Sequence, residues 1–155
     1  VQHQNKKDEN ERLGAVPPEE IEAIINGDVE KLVSLADRIG KGLARDLTTS
    51  QVRNFFGIVR RIESTVEEAR RKAAGTETFR LPDDAYRQLM LLKPKMAYQS
   101  RRTGWGVKKL SEILTPAIDH VGRDAGRFKN FVDFFEAILA YHKAYGGRES
   151  SGRGN

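Results

Sequence analysis

The chain has no cysteine, which excludes a disulfide framework and a thiolate metal site, and with them the small secreted folds stapled by bridges. A reducing, cytoplasmic setting fits this composition. Long hydrophobic runs are missing too. Stretches such as Ala137-Ile138-Leu139-Ala140-Tyr141 fall far short of the roughly 20 apolar residues that cross a bilayer, so no membrane partner is expected. The opening Val1-Gln2-His3-Gln4-Asn5-Lys6-Lys7 lacks the apolar stretch of a secretory signal and reads as a polar tail.

Catalytic constellations are equally scarce. The three histidines, His3, His120 and His142, are unpaired, and the Glu-x-x-His spacing of a carboxylate-bridged metal site in a helix bundle does not occur. Asp133 and Glu136 stand one helical turn apart but have no nearby histidine in sequence. There is no glycine-rich phosphate loop, no His-Glu-x-x-His and no Gly-x-Ser-x-Gly. The expectation is a protein without catalytic residues, metal or cofactor, not an enzyme, whose histidines are surface or core-edge polar groups.

The 155 residues suit a single domain, and a chain of this order buries roughly two thirds of its unfolded surface. Hydrophobic residues make up 38%, and the 14 Gly bring the apolar share to the ~45–50% of globular proteins, so a packed core is expected. The net charge of +5 hides an uneven distribution. Residues 1–50 carry 7 Lys/Arg against 10 Asp/Glu, residues 51–109 carry 14 against 6, and residues 110–155 carry 6 against 6. A basic middle points to an acidic partner, of which nucleic acid is the commonest; a solvated helix face is the alternative reading.

Helical periodicity dominates and strand alternation is nearly absent, which predicts an all-α, compact bundle of about five to six helices. Residues 1–16 read as a polar flexible tail, 17–146 as one helical domain and 147–155 as a second flexible tail. Pro17-Pro18-Glu19-Glu20 suits a helix start, since proline fits the first turn and acids its positive dipole end. Asp28 should cap a second helix with Val29, Leu32, Val33, Leu35, Ala36, Ile39 and Leu43 turned inward. Thr48 and Gln51 have capping-box spacing. Val52, Phe55, Phe56, Val59, Ile62, Val66, Ala69 and Ala73 then mark one buried stripe, on a helix that should reach Ala74 and stop at Gly75.

At about 100° per residue, Arg53, Gly57, Arg60, Arg61, Ser64 and Arg71 fall on the side away from that stripe. A fourth helix should run from Pro82-Asp83-Asp84 toward Arg102, drawing core residues from Tyr86, Leu89, Met90, Leu92, Met96 and Ala97, with Pro94 kinking or splitting it. Thr103-Gly104-Trp105-Gly106 reads as a linker into the stripe Val107, Leu110, Ile113, Leu114, Ala117, Ile118, Val121, where Pro116 is a candidate bend. The last helix, from Phe128 to Tyr145, is the most apolar and should be the central pillar.

Arg53, Arg60 and Arg61, with Lys93, Lys95, Arg101 and Arg102, form one cationic patch if the third and fourth helices are neighbours. Arg and Lys neutralise phosphates without reading sequence, and Arg forks clamp phosphate oxygens in pairs. Gly57, between Arg53 and Arg60, would let a backbone approach that turn, or is an accidental helix glycine. Tyr98 and Trp105 read first as packing residues, with base stacking as the alternative.

Three segments carry a family resemblance: Leu47-Thr48-Thr49-Ser50-Gln51-Val52-Arg53-Asn54, Leu92-Lys93-Pro94-Lys95-Met96-Ala97-Tyr98-Gln99, and Phe131-Val132-Asp133-Phe134-Phe135-Glu136-Ala137-Ile138-Leu139-Ala140-Tyr141-His142-Lys143. In order and spacing, across residues 45–146, the chain resembles the small subunit of the type III-A CRISPR Csm complex. The resemblance implies a helical bundle stacked in several copies along a ribonucleoprotein filament, contacting the CRISPR RNA and target RNA, with cleavage and nucleotide cyclisation left to other subunits. It carries an RNA-contact role over to Arg53, Lys93 and Lys95; Arg60, Arg61, Arg101 and Arg102 rest on the helix-face argument. Residues 1–44 match least well. The leading expectation is therefore a non-catalytic RNA-binding small subunit; the alternatives are a helical protein-protein scaffold without direct RNA binding and, weakest, a nuclease.

Overall fold

In a computed structural model, which describes residues 13–73 and 79–148, these residues fold into six α-helices: α1 (Pro18–Ile25), α2 (Val29–Leu43), α3 (Thr49–Lys72), α4 (Asp83–Thr103), α5 (Trp105–Val121) and α6 (Ala125–Ala144). Among the described residues there is no strand beyond two isolated bridges, and the class is all-α. The starts are chemically marked. Asp28 and Asp124 accept backbone N–H bonds from Lys31 and Arg127, which satisfies donors that the first turn of a helix leaves open. At α3 the capping box is reciprocal: Thr48 Oγ1 accepts from Gln51 N at 3.1 Å and Gln51 Oε1 from Thr48 N at 2.8 Å. Thr48→Ala is expected to lower stability by about 1 kcal/mol, read as a lower urea midpoint; an unchanged midpoint would mean that packing alone sets the start of α3.

α6 is the pillar, touching α1, α2, α3 and α5. Phe128, Phe131, Phe134 and Phe135 are all buried on it, each contributing ~1.5–3 kcal/mol of apolar burial. Phe131 and Phe135 meet edge to face at 6.3 Å, and Phe135 reaches Phe56 of α3 at 5.3 Å, within the range of favourable aromatic pairing. α4 stands outside this centre. It packs on α5 and α3, so one of its edges borders α3 at the surface.

Several expected details differ. Val29 and Val33 are 64% and 45% exposed: they sit on the edge of the α2 stripe, and the core is filled by Leu32, Leu35, Ala36, Ile39 and Leu43. Ala73 and Ala97 are exposed, and Tyr86 and Met90 half-buried. Pro94 does not split α4, which runs unbroken from Asp83 to Thr103. Pro94 is exposed, and buried Leu89, Leu92 and Met96 hold both flanks in the core. α5 likewise continues through Pro116. The expected linker shrinks to Gly104, whose φ of 102° lies where only glycine is unstrained; Trp105 and Gly106 already belong to α5.

At the N-terminal side Leu13 and Val16 pack against the core. At the other end the chain turns back after α6: Thr49 N donates to Arg148 O and Arg148 N to Ala44 O, at 2.9 and 2.8 Å. Packing therefore reaches two residues past 146. The rest of both tails, and the Ala74-Gly75 helix end, lie outside the described residues.

His142 departs most from expectation. It is fully buried, with Nε2 2.6 Å from Leu47 O, so Nε2 carries the proton and Nδ1 faces Gly147 without a hydrogen-bond partner among the described residues. The imidazole ties the end of α6 to the residue just before the α3 cap. Burial holds its pKa below the usual histidine value, and the bond to Leu47 O opposes this more weakly.

Candidate nucleic-acid interface

The neighbour relation on which a joint patch depends is present: α3 and α4 pack against each other. Gln51, Asn54, Phe55 and Ile58 of α3 face Lys95, Tyr98, Gln99 and Thr103 of α4 across a groove of about 280 Å³, lined also by Val107 of α5. The early part of α3 thus meets the late part of α4, so the two helices run antiparallel. The capping box fixes where α3 begins, and the buried residues Leu92 and Met96 fix how α4 is turned. Each helix lends the groove the flank of its core stripe.

The seven cationic residues do not form one patch. Lys95 lines the groove, and Arg102, two turns along, lies within about 20° of it round α4, its guanidinium 5.7 Å from the Tyr98 ring. Arg61 extends the line of Asn54 and Ile58 on α3 at three- and four-residue steps, beside the same groove. Arg53 and Arg60, seven residues apart, share another side of the solvent face, and Arg60 reaches α6. Arg60 is already engaged, with Glu63 at 2.8 Å and Glu136 of α6 at 3.2 Å, and stacks over Phe56 at 5.0 Å. Its pKa is raised, first by the Glu63 hydrogen bond. Lys93 lies about 160° round α4 from Lys95 and pairs with Asp119 of α5 at 2.6 Å. Arg101 points outward from α4.

Of the seven, Arg53, Arg61, Lys95, Arg101 and Arg102 form no ion pair among the described residues. Among the described residues no carboxylate lines the groove. Its polar side chains, Gln51, Asn54 and Gln99, are not legible in the sequence, because uncharged amides on a helix carry no signal until a second helix faces them. Tyr98, expected to pack, is 61% exposed, while Trp105 is half-buried against the core. Among the described residues no three His, Asp or Glu side chains converge as a metal site would require, and no helix is long and apolar enough to cross a membrane.

This geometry gives the sequence segments a spatial meaning. Leu47–Asn54 and Leu92–Gln99 each contribute residues to one side of the groove, and Phe131–Lys143 belongs to the pillar whose His142 bonds Leu47 O. A family model described as Csm2 Type III-A matches residues 26–148, farther toward the N-terminus than the three segments reach. No curated protein matches the chain.

Proposed function

The chain belongs to the Csm2 Type III-A family and is a small subunit of a type III-A CRISPR effector complex; on that premise we propose that it is a non-catalytic RNA-binding subunit. In this reading it stacks in several copies along the filament of a cytoplasmic complex and contacts the guide and target RNA path through the α3–α4 surface. The observation that carries the reading is Lys95 in the wall of a groove that no carboxylate lines among the described residues, with Arg102 beside the ring of Tyr98 and Arg61 one step beyond Ile58 on the same line of α3. Unpaired cations release condensed counterions when they meet phosphates, whereas cations already matched by a carboxylate gain less.

The residues therefore separate into two classes. Binding to single-stranded RNA should weaken as salt rises, and replacing Arg61, Lys95 and Arg102 by alanine should flatten the log–log salt slope by up to about 0.7 per lost phosphate contact. Lys93→Ala and Arg60→Ala should flatten it less, since Asp119, Glu63 and Glu136 hold those charges within the fold. A folded triple variant with the slope of the unaltered protein would remove the α3–α4 surface from consideration.

The scaffold reading retains one supporting feature. Val29 and Val33 lie one turn apart on α2, both exposed, as residues covered by a neighbouring subunit would. It predicts complexes that assemble after nuclease treatment and an isolated chain that ignores RNA at physiological salt.

A further inference from the structure

We propose that the α3–α4 groove is a pocket for one unstacked base of single-stranded RNA, with Lys95 at its wall meeting the phosphate of the same nucleotide; the proposal rests on the RNA-binding reading and deepens it. A groove built only to hold phosphate would need donors alone. This one instead presents the carboxamides of Gln51, Asn54 and Gln99, and a carboxamide both donates and accepts, as the edges of bases do.

These groups are also available. The side chains of Asn54 and Gln99 have no hydrogen-bond partner among the described residues, and Gln51 uses only its Oε1, in the cap of α3. The Tyr98 hydroxyl is likewise unpartnered. The floor is apolar, with Phe55 6% exposed, and suits the face of a ring. At about 280 Å³ the groove falls just below the ~300–1,000 Å³ of ligand sites; it suits a single base and is too small for a helix. Tyr98 stands at the rim, exposed, with Arg102 beside its ring, where a base could stack on it. A base within a duplex is stacked on both faces and cannot enter, so the pocket selects single strands.

The test compares two short single-stranded RNAs of equal length and charge, one intact and one with its bases removed, binding to the full chain by fluorescence anisotropy. The expected result is about tenfold tighter binding of the intact strand, in the range of one aromatic stacking contact with a base. Asn54→Ala with Gln99→Ala should weaken that preference while leaving the salt slope unchanged. Tyr98→Phe should keep the preference and Tyr98→Ala should lose most of it. All these positions are exposed or half-buried, and an unchanged thermal melt verifies folding. Equal affinity for the two strands, or a preference undiminished by the amide substitutions, overturns the base pocket and leaves phosphate binding standing. Failure to bind either strand overturns both.

Discussion

Replacing Gly40 with alanine should lower stability by about 1–3 kcal/mol, the usual cost of overpacking a well-filled site, although alanine is the better helix former by about 1 kcal/mol. Gly40 lies buried on α2 where that helix crosses α6. A Cβ there would stand 2.6 Å from Tyr141 Cβ and 2.7 Å from both Tyr141 C and His142 N. Those atoms are helix backbone and its first side-chain carbon, so they cannot swing aside as the end of a long side chain can. Relief would require α2 and α6 to separate, and their contact is the most extensive in the bundle.

Gly57 supplies the opposite case. It lies on the solvent side of α3 and has nothing within 4 Å of a Cβ, so Gly57→Ala should raise stability by about 0.5–1 kcal/mol. Urea midpoints moving in opposite directions are the expected outcome. A Gly40→Ala midpoint that rises like that of Gly57→Ala would show that the α2–α6 crossing has room to spare. If Gly57→Ala also leaves RNA affinity unchanged, no backbone approaches that turn and its glycine is an ordinary surface residue.

The second large effect belongs to His142. His142→Ala should cost about 2–4 kcal/mol, combining the cavity left by a fully buried ring with the loss of the donor to Leu47 O. The residue also makes stability depend on pH in a defined direction. Burial depresses its pKa in the folded protein, while the unfolded chain takes up the proton near the ordinary value of about 6.5. Above that pH both states are neutral and the buried imidazole contributes fully. As the pH falls below it, the unfolded state binds the proton first, and stability is lost until the folded-state pKa is passed. His142→Gln, which keeps a donor for Leu47 O, should remove this part of the acid-side slope. Equal slopes for the two proteins would assign the acid loss to other groups.

The local order of the fold was readable because it depends on residues within one turn of each other. Thr48 and Gln51 are three apart, and their reciprocal bonds need no other part of the chain. The stripe from Val52 to Val66 is a property of helical period alone, and its members are buried. Where reading failed, the deciding partner was remote. Val29 and Val33 had the spacing of core residues, but the stripe is wider than the surface that α6 and its neighbours cover. Pro94 looked like a break until burial on both flanks held α4 together. His142 looked like a core-edge group because its partner, Leu47, is 95 residues away.

The candidate site divides the same way. Composition and period by themselves determined an all-helical chain without thiols and with a basic middle section. Only the packing of helices decided which cations remain uncommitted. Lys93 and Lys95 are two residues apart in sequence, yet one is matched by Asp119, 26 residues on, and the other lines a groove. Arg60 is matched by Glu136, 76 residues away. The reason is physical: a helix is set by hydrogen bonds between residues four apart, whereas the charge left at a surface depends on which carboxylates the tertiary fold brings within reach of each cation.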